Sequence, residues 1–159
     1  MDKLLKIIRS NARLPIEDLA ALAGLTPEET AQKLEEYEKS GAIKGYMAVM
    51  AEDFSDTDSV TAFIEVKVTP KADNGFEEIA HTIMSFEEVD SVTLMAGSFD
   101  LAVTLSGTNY KEVALFVAKR LSTLDGVIST STHFVLKRYK EHGFIINGET
   151  ADERGLVSP

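Results

Sequence analysis

Apolar positions in this chain recur first at helical spacing and then, from about residue 60, at the period of strands. Leu4, Leu5, Ile7 and Ile8 make one apolar stripe, with Asn11 as its exit signal. Ile16, Leu19, Ala20 and Ala23 repeat at i, i+3, i+4 and i+7 behind Pro15, which predicts a second short helix ending near Gly24. Thr26 precedes Pro27 and stands three residues before Glu29, a capping box with proline at the first helical position, where its missing N–H costs nothing. A third helix therefore starts at about Pro27, and the head it completes ends at Gly41. Only Gly24, Leu25 and Thr26 separate the second and third helices, the tight corner of a helix-turn-helix. The following AIKGYMAVM alternates loosely and reads as a strand or wing. We place the head at residues 1–46 and a linker strand at 47–59.

Beyond the linker, Ala62, Ile64, Val66 and Val68 alternate with Thr61, Glu65, Lys67 and Thr69, a strand with one buried face. Phe76, Ile79, Ala80, Ile83 and Met84 return to helical spacing. A strand through Val89, Val92 and Leu94, a corner at AGSFD and a strand through Leu101, Val103 and Leu105 follow. Tyr110, Val113, Ala114, Val117 and Leu121 form a further helical stripe, and a long last strand begins at Gly126. The order β-α-β-β-α-β over residues 60–139 predicts an antiparallel four-stranded sheet with both helices on one face, a ferredoxin-like plait. The fold class is thus α+β, a three-helix head followed by this domain. A sheet face that its own helices leave bare is usually covered by another subunit, so at least a dimer is expected. The tail, 140–159, is polar and punctuated by glycine, and its apolar patch at Phe144 to Ile146 predicts a docked strand with a turn at Asn147 and Gly148.

Composition narrows the function. With 159 residues and 44% hydrophobic content, the chain has room for two small domains with modest cores. It lacks cysteine, so disulfides and thiolate metal sites are excluded, and His81, His133 and His142 show no metal-ligand spacing. No catalytic residue, metal site or cofactor is expected: the paired glutamates at 28–29, 77–78 and 87–88 read as solvated surface, and no Gly-rich phosphate loop is present. No apolar run approaches the roughly 18 to 20 residues that span a bilayer, and the N-terminus has no long apolar core of a signal peptide, so a cytoplasmic protein without membrane contact is expected. The formal net charge of −10 disfavours encounter with a polyanion. Residues 1–50 hold 7 Lys/Arg against 8 Asp/Glu, a net of −1, whereas residues 51–159 hold 9 against 18, a net of −9. The acidity sits in the second part.

Taken together, the three-helix head, the phrase GAIKGYMAV after its last helix, the β-α-β-β-α-β domain and GSFD at Gly97–Asp100 resemble the Lrp/AsnC family of transcription regulators over nearly the whole chain. The resemblance implies a homodimer, often assembled into tetramers or octamers, whose heads bind double-stranded DNA. It also implies C-terminal domains that bind amino acids or related small effectors at subunit interfaces.

A helix-turn-helix presents the N-terminal half of its second helix to the major groove. There this chain offers Thr26, Glu28, Glu29, Thr30, Gln32, Lys33 and Glu36, with Arg13 and Lys44 nearby. Gln32 suits adenine, Lys33 guanine or phosphate, and a glutamate can only accept, as from cytosine N4. Family members commonly place several arginines on this helix and this chain has none, so phosphate attraction falls to Lys3, Lys6, Arg9, Arg13, Lys39 and Lys44. The alternative is a solvated acidic helix face in a head that binds DNA weakly or not at all. At the GSFD corner, Gly97 can adopt positive φ and, with Ser98, expose backbone N–H groups to a carboxylate, while Asp100 can pair with an α-amino group. The competing reading is a plain hairpin with Asp100 on local backbone. Thr130 and Thr132 share one side of the last strand and offer hydroxyls to the same cleft.

Three functional classes follow. The first is a DNA-binding regulator tuned by an amino-acid effector. The second is an amino-acid sensing or protein-interaction module with an inactive head. An enzyme is the third, because sirohaem decarboxylases resemble this family in fold, but a polycarboxylate tetrapyrrole would meet an acidic second domain.

Overall fold

The structure, a computed structural model, describes residues 2–51, 59–70 and 75–147. The chain forms two compact units, Met1–Ala48 and Val49–Pro159. In the first, α1 (Lys3–Ser10), α2 (Ile16–Ala23) and α3 (Pro27–Lys39) pack around Leu4, Ile8 and Leu19, with Ile7, Leu14, Ala23, Leu25, Leu34, Tyr37 and Ile43 at the margin. Each helix end has a local cause. The Asp2 side chain caps α1 by accepting from the Leu4 N–H at 2.7 Å. α2 stops at Gly24, whose φ of 79° is the left-handed conformation glycine adopts without a Cβ penalty. At the start of α3 both halves of the capping box form: Thr26 Oγ1 accepts from Glu29 N–H at 3.2 Å and Glu29 Oε2 accepts from Thr26 N–H at 2.8 Å.

The expected strand over AIKGYMAVM does not form. Residues 44–51 carry no strand, and a strand has nothing to hold it without a ladder partner for its N–H and C=O groups. The remainder of the predicted linker, 52–58, lies outside the described residues.

The second unit is the predicted ferredoxin-like plait. β1 (Val60–Val68), β2 (Val89–Leu94), β3 (Leu101–Gly107) and β4 (Val127–Phe134) form one antiparallel sheet in the order β2-β3-β1-β4. Ala62, Ile64, Val66 and Val68 of β1, with Leu101, Val103 and Leu105 of β3, face α4 (Glu77–Met84) and α5 (Tyr110–Phe116). α5 continues as a π-helical turn, Val117–Leu121. Val113, Phe116, Val117 and Leu121 are buried, whereas Ala114, expected on the stripe, is exposed. Met84 is likewise exposed at the end of α4.

The tail turns at a place the sequence reading did not name, and the turn expected at Asn147–Gly148 reaches outside the described residues. β5 (Lys140–Glu141) and β6 (Phe144–Ile145) form a two-stranded hairpin whose turn is His142–Gly143, both at positive φ. Such primed turns match the twist of paired strands and take a glycine at the second position. The hairpin pairs with itself, and Asn147 Nδ2 closes it by donating to the Arg138 carbonyl at 2.9 Å. Gly148 and the rest of the tail lie outside the described residues.

Candidate functional site

The inward and outward faces of α3 divide the predicted DNA-contacting residues. Thr30, Lys33, Leu34 and Tyr37 lie on the side that packs against the rest of the head. Thr30 is 0% exposed and its hydroxyl donates to the Thr26 carbonyl at 2.9 Å, so the expectation that it meets a base edge is corrected. A threonine one turn into a helix satisfies its hydroxyl on the preceding carbonyl and buries its methyl. Lys33 is also turned inward: its ammonium lies 3.5 Å from the Asp2 carboxylate, each side chain about 39% exposed. Tyr37 completes this group by hydrogen-bonding Asp2. The Leu4 N–H, then the Tyr37 hydroxyl and Lys33, hold the Asp2 carboxyl below its ordinary range, while burial first and Asp2 second push the Tyr37 phenol up.

What remains on the outward face of α3 is acidic. Glu28, Gln32, Glu35, Glu36 and Lys39 are exposed at helical neighbour spacing, and Lys39 is ion-paired with Glu35. Thr26 is exposed, with its hydroxyl engaged in the cap. Arg13 and Lys44 are exposed beside the helices rather than on α3.

At the corner between β2 and β3, Gly97 and Ser98 are exposed. Gly97 is not among the positive-φ residues, and a Cβ there would meet nothing within 4 Å, so neither the expected turn geometry nor a close approach within this chain requires glycine. The Asp100 carboxylate accepts from Val68 N–H at 2.9 Å, while its own N–H donates to the Val66 carbonyl at 3.1 Å. Asp100 therefore clamps the corner to the end of β1, a backbone role as in the plain-hairpin reading but across the sheet instead of locally. Among the described residues its second carboxylate oxygen has no such bond.

Thr130 and Thr132 do not share a face with an opening at that corner. They pair with Val66 and Ile64, whose side chains are core, so both hydroxyls point to the helix side, and Thr130 Oγ1 lies 3.0 Å from Ser122 Oγ. Thr130 also stands two strands from Leu101, roughly 10 Å across the sheet. A cavity of about 230 Å³ near Thr69, Glu78, Thr82 and Asp125 contains none of the predicted effector residues.

The bare sheet face carries a cluster that the sequence reading passed over. Phe63 meets Phe99 edge-on with centroids 6.1 Å apart and His133 at 6.1 Å, and His133 Nε2 lies 3.4 Å from Glu65. The available signal was Phe63 itself, a phenylalanine on the side of the strand assigned to Thr61, Glu65 and Lys67. Among the described residues no group of three His, Asp or Glu side chains is placed to hold a metal, and no helix is long and apolar enough to cross a membrane.

Comparison with known proteins gives the same architecture a lineage. The family described as the Lrp/AsnC ligand binding domain matches residues 61–145. An uncharacterized HTH-type transcriptional regulator of Bacillus subtilis, YugG, is 42% identical over 99% of this chain and 95% of its own. The leucine-responsive regulatory protein of Haemophilus influenzae is 26% identical over 91% and 86%. Among solved structures, a Neisseria meningitidis transcriptional regulator in complex with L-Met aligns with a TM-score of 0.67 at 27% identity, covering 87% of this chain and 89% of that one. Escherichia coli AsnC shares the fold with a TM-score of 0.64 at 20% identity, covering 88% and 92%. With a domain match over more than half its length and a relative of such identity along nearly all of it, this chain belongs to the Lrp/AsnC family of transcription regulators.

Proposed function

We propose that this chain is a sequence-specific DNA-binding transcription regulator that responds to an amino acid or a related small effector. The observation that carries this reading is the 42% identity to an HTH-type regulator along both units, head and plait together. The L-Met held by the Neisseria regulator gives the class of effector. Effector contacts are assigned to the exposed corner at Gly97 and Ser98, with the second oxygen of Asp100 for an ammonium group; Thr130 and Thr132 enter through the helix side or not at all. Subunits pair as homodimers, and assemble further to tetramers or octamers, through the sheet face bearing Phe63, Phe99 and His133. Such an aromatic cluster beside the His133–Glu65 contact suits burial against a second copy.

A second reading is favoured by one observation, the carboxylates of Glu28, Glu35 and Glu36 on the outward face of α3. There the chain is an amino-acid sensing or interaction module whose head leaves DNA alone. Titration of the full chain onto DNA upstream of its own gene, at low and moderate salt, with and without pooled amino acids, separates the two. Salt-sensitive binding above a random-DNA control, shifted by an amino acid, is expected. Folded, oligomeric protein that binds no DNA under any of these conditions would give the second reading the case.

A further inference from the structure

The head separates its charges onto different faces. Around α1, Lys3, Lys6 and Arg9 occupy an arc opposite the buried Leu4 and Ile8, and all three are exposed. At three-residue intervals they climb about 4.5 Å per step along the axis. Arg13 follows, exposed, in the turn after α1. No carboxylate interrupts residues 3–13. None of these four cations is ion-paired among the described residues, whereas Lys33 and Lys39 of α3 are held by Asp2 and Glu35.

Helix stability accounts for one end of the stripe only: Arg9 stands in the last turn of α1, where a cation complements the macrodipole. α2, α3, α4 and α5 each carry a glutamate or aspartate in the first turn, where negative charge complements the macrodipole. α1 has none there and opens with Lys3, a cation at the positive end of the helix. Asp2 at the N-cap supplies α1 with its negative charge, so Lys3 and Lys6 are the cations that the helix's own stability leaves unexplained. The one nearby carboxylate, Asp2, is neutralised by Lys33 and bound by Tyr37, so it does not offset the stripe.

We propose that the α1 stripe, Lys3, Lys6 and Arg9 with Arg13 beyond it, is the phosphate-binding surface of the head. It supplies affinity for double-stranded DNA without sequence preference, and the acidic outward face of α3 contributes register through Gln32 and Glu28. Lys33 acts inside the head, cancelling Asp2. This rests on the DNA-binding reading above and adds where the polyanion is held. Phosphate neutralisation releases counterions, so each contact adds about −0.9 to the slope of log affinity against log salt.

The test is the salt dependence of DNA binding by the full chain, wild type against Lys3→Gln/Lys6→Gln/Arg9→Gln, with Lys39→Gln/Lys44→Gln as the comparison. The triple variant is expected to lose a slope of about 3 per bound head. Between 50 and 200 mM salt its affinity should fall about fortyfold less per head than that of wild type. The loss at low salt should be the same on upstream and random DNA, as phosphate contacts dictate. Lys6→Gln alone, a single exposed change opposite the core, should remove about a third of the effect and guards against misfolding of the triple variant. A triple variant that keeps the wild-type slope, while Lys39→Gln/Lys44→Gln flattens it, overturns the assignment and leaves DNA binding standing. Wild type that binds no DNA overturns both.

Discussion

The two units of this chain hold themselves together by different means. Among the described residues the plait buries twelve apolar side chains in one cluster spanning β1, β3, α4 and the α5 region, from Ala62 to Leu121. The head's buried cluster is Leu4, Ile8 and Leu19, and it relies on polar devices at its helix ends: the Asp2 cap, the Thr26–Glu29 box and the left-handed Gly24. In a unit this small, architecture consumes the polar chemistry. Thr30 and Lys33 looked available for DNA because of where they fall on α3, yet both are engaged in holding the head. On the bare face of the plait the polar groups bond to one another, as Glu65 and Ser131 do with His133 and Thr61 with Arg138, and take no part in its apolar core.

The comparison breaks most visibly in the cores. Ile64, at 0% exposure in the middle of β1, contacts close-packed neighbours that cannot collapse into a void, so Ile64→Ala should cost about 4 to 5 kcal/mol, the upper part of the usual range. Leu4 is equally buried, but its neighbours are a few side chains on three short helices that can close in, so Leu4→Ala should cost nearer 2 to 3 kcal/mol. Hydrogen exchange read on β1 and β3 amides for the first variant, and on α1 to α3 amides for the second, gives both numbers. Equal costs would mean that the head is packed as rigidly as the plait.

Most of this architecture was legible in the sequence because binary pattern and caps agree. The Thr26-Pro27-Glu29 signature placed the start of α3, and the alternation of Ala62 to Val68 fixed which side of β1 is core. The failures have separate causes. Ala114 lies at the edge of the stripe and is exposed, while Phe116, at i+3 from Val113 on its other side, is buried, a choice that helical spacing alone leaves open. Residues 42–50 alternate like a strand, but alternation does not create a ladder partner. Thr130 and Thr132 were correctly placed on one side of their strand; which side became known only from their pairing with Val66 and Ile64. Asp100 is engaged by Val68, 32 residues away, a contact invisible to local reasoning.

Smaller effects sharpen the idea that polar groups of the head serve its fold. Thr26→Ala removes the acceptor for the Glu29 N–H and should destabilise the head by about 1 kcal/mol, within a usual range of about 0.5 to 2. Thr26→Asn keeps a capping oxygen and changes the exposed side chain at the start of α3. Stability retained in Asn and lost in Ala, measured by denaturant midpoint, assigns the hydroxyl to capping. If Ala and Asn are equally stable but both lose DNA affinity, the side chain is a DNA contact and the comparison fails at this residue.

The smallest effect is the most diagnostic of how the head neutralises its own charge. Asp2 has a carboxyl held below the ordinary range, by the Leu4 N–H first and by Tyr37 and Lys33 after it. A depressed folded-state pKa means that the stabilisation is fully present above the unfolded value of about 4 and is lost as the pH falls through the lower folded value. Glu112 is depressed likewise by the Thr108 hydroxyl and N–H, so the plait carries an acid-sensitive cap of its own. Asp2→Asn retains an oxygen for the Leu4 N–H but no titratable group. Amide exchange of α1 in this variant should therefore stay close to wild type at neutral pH and lose part of its rise below about pH 4, while the α5 amides, governed by Glu112, keep theirs. An α1 acid response unchanged by the substitution would mean that Lys33 and Tyr37 are not tied to Asp2 in solution. Lys33 would then be free to turn outward, and the division of the head into a basic α1 face and an acidic α3 face would lose the residue that keeps it clean.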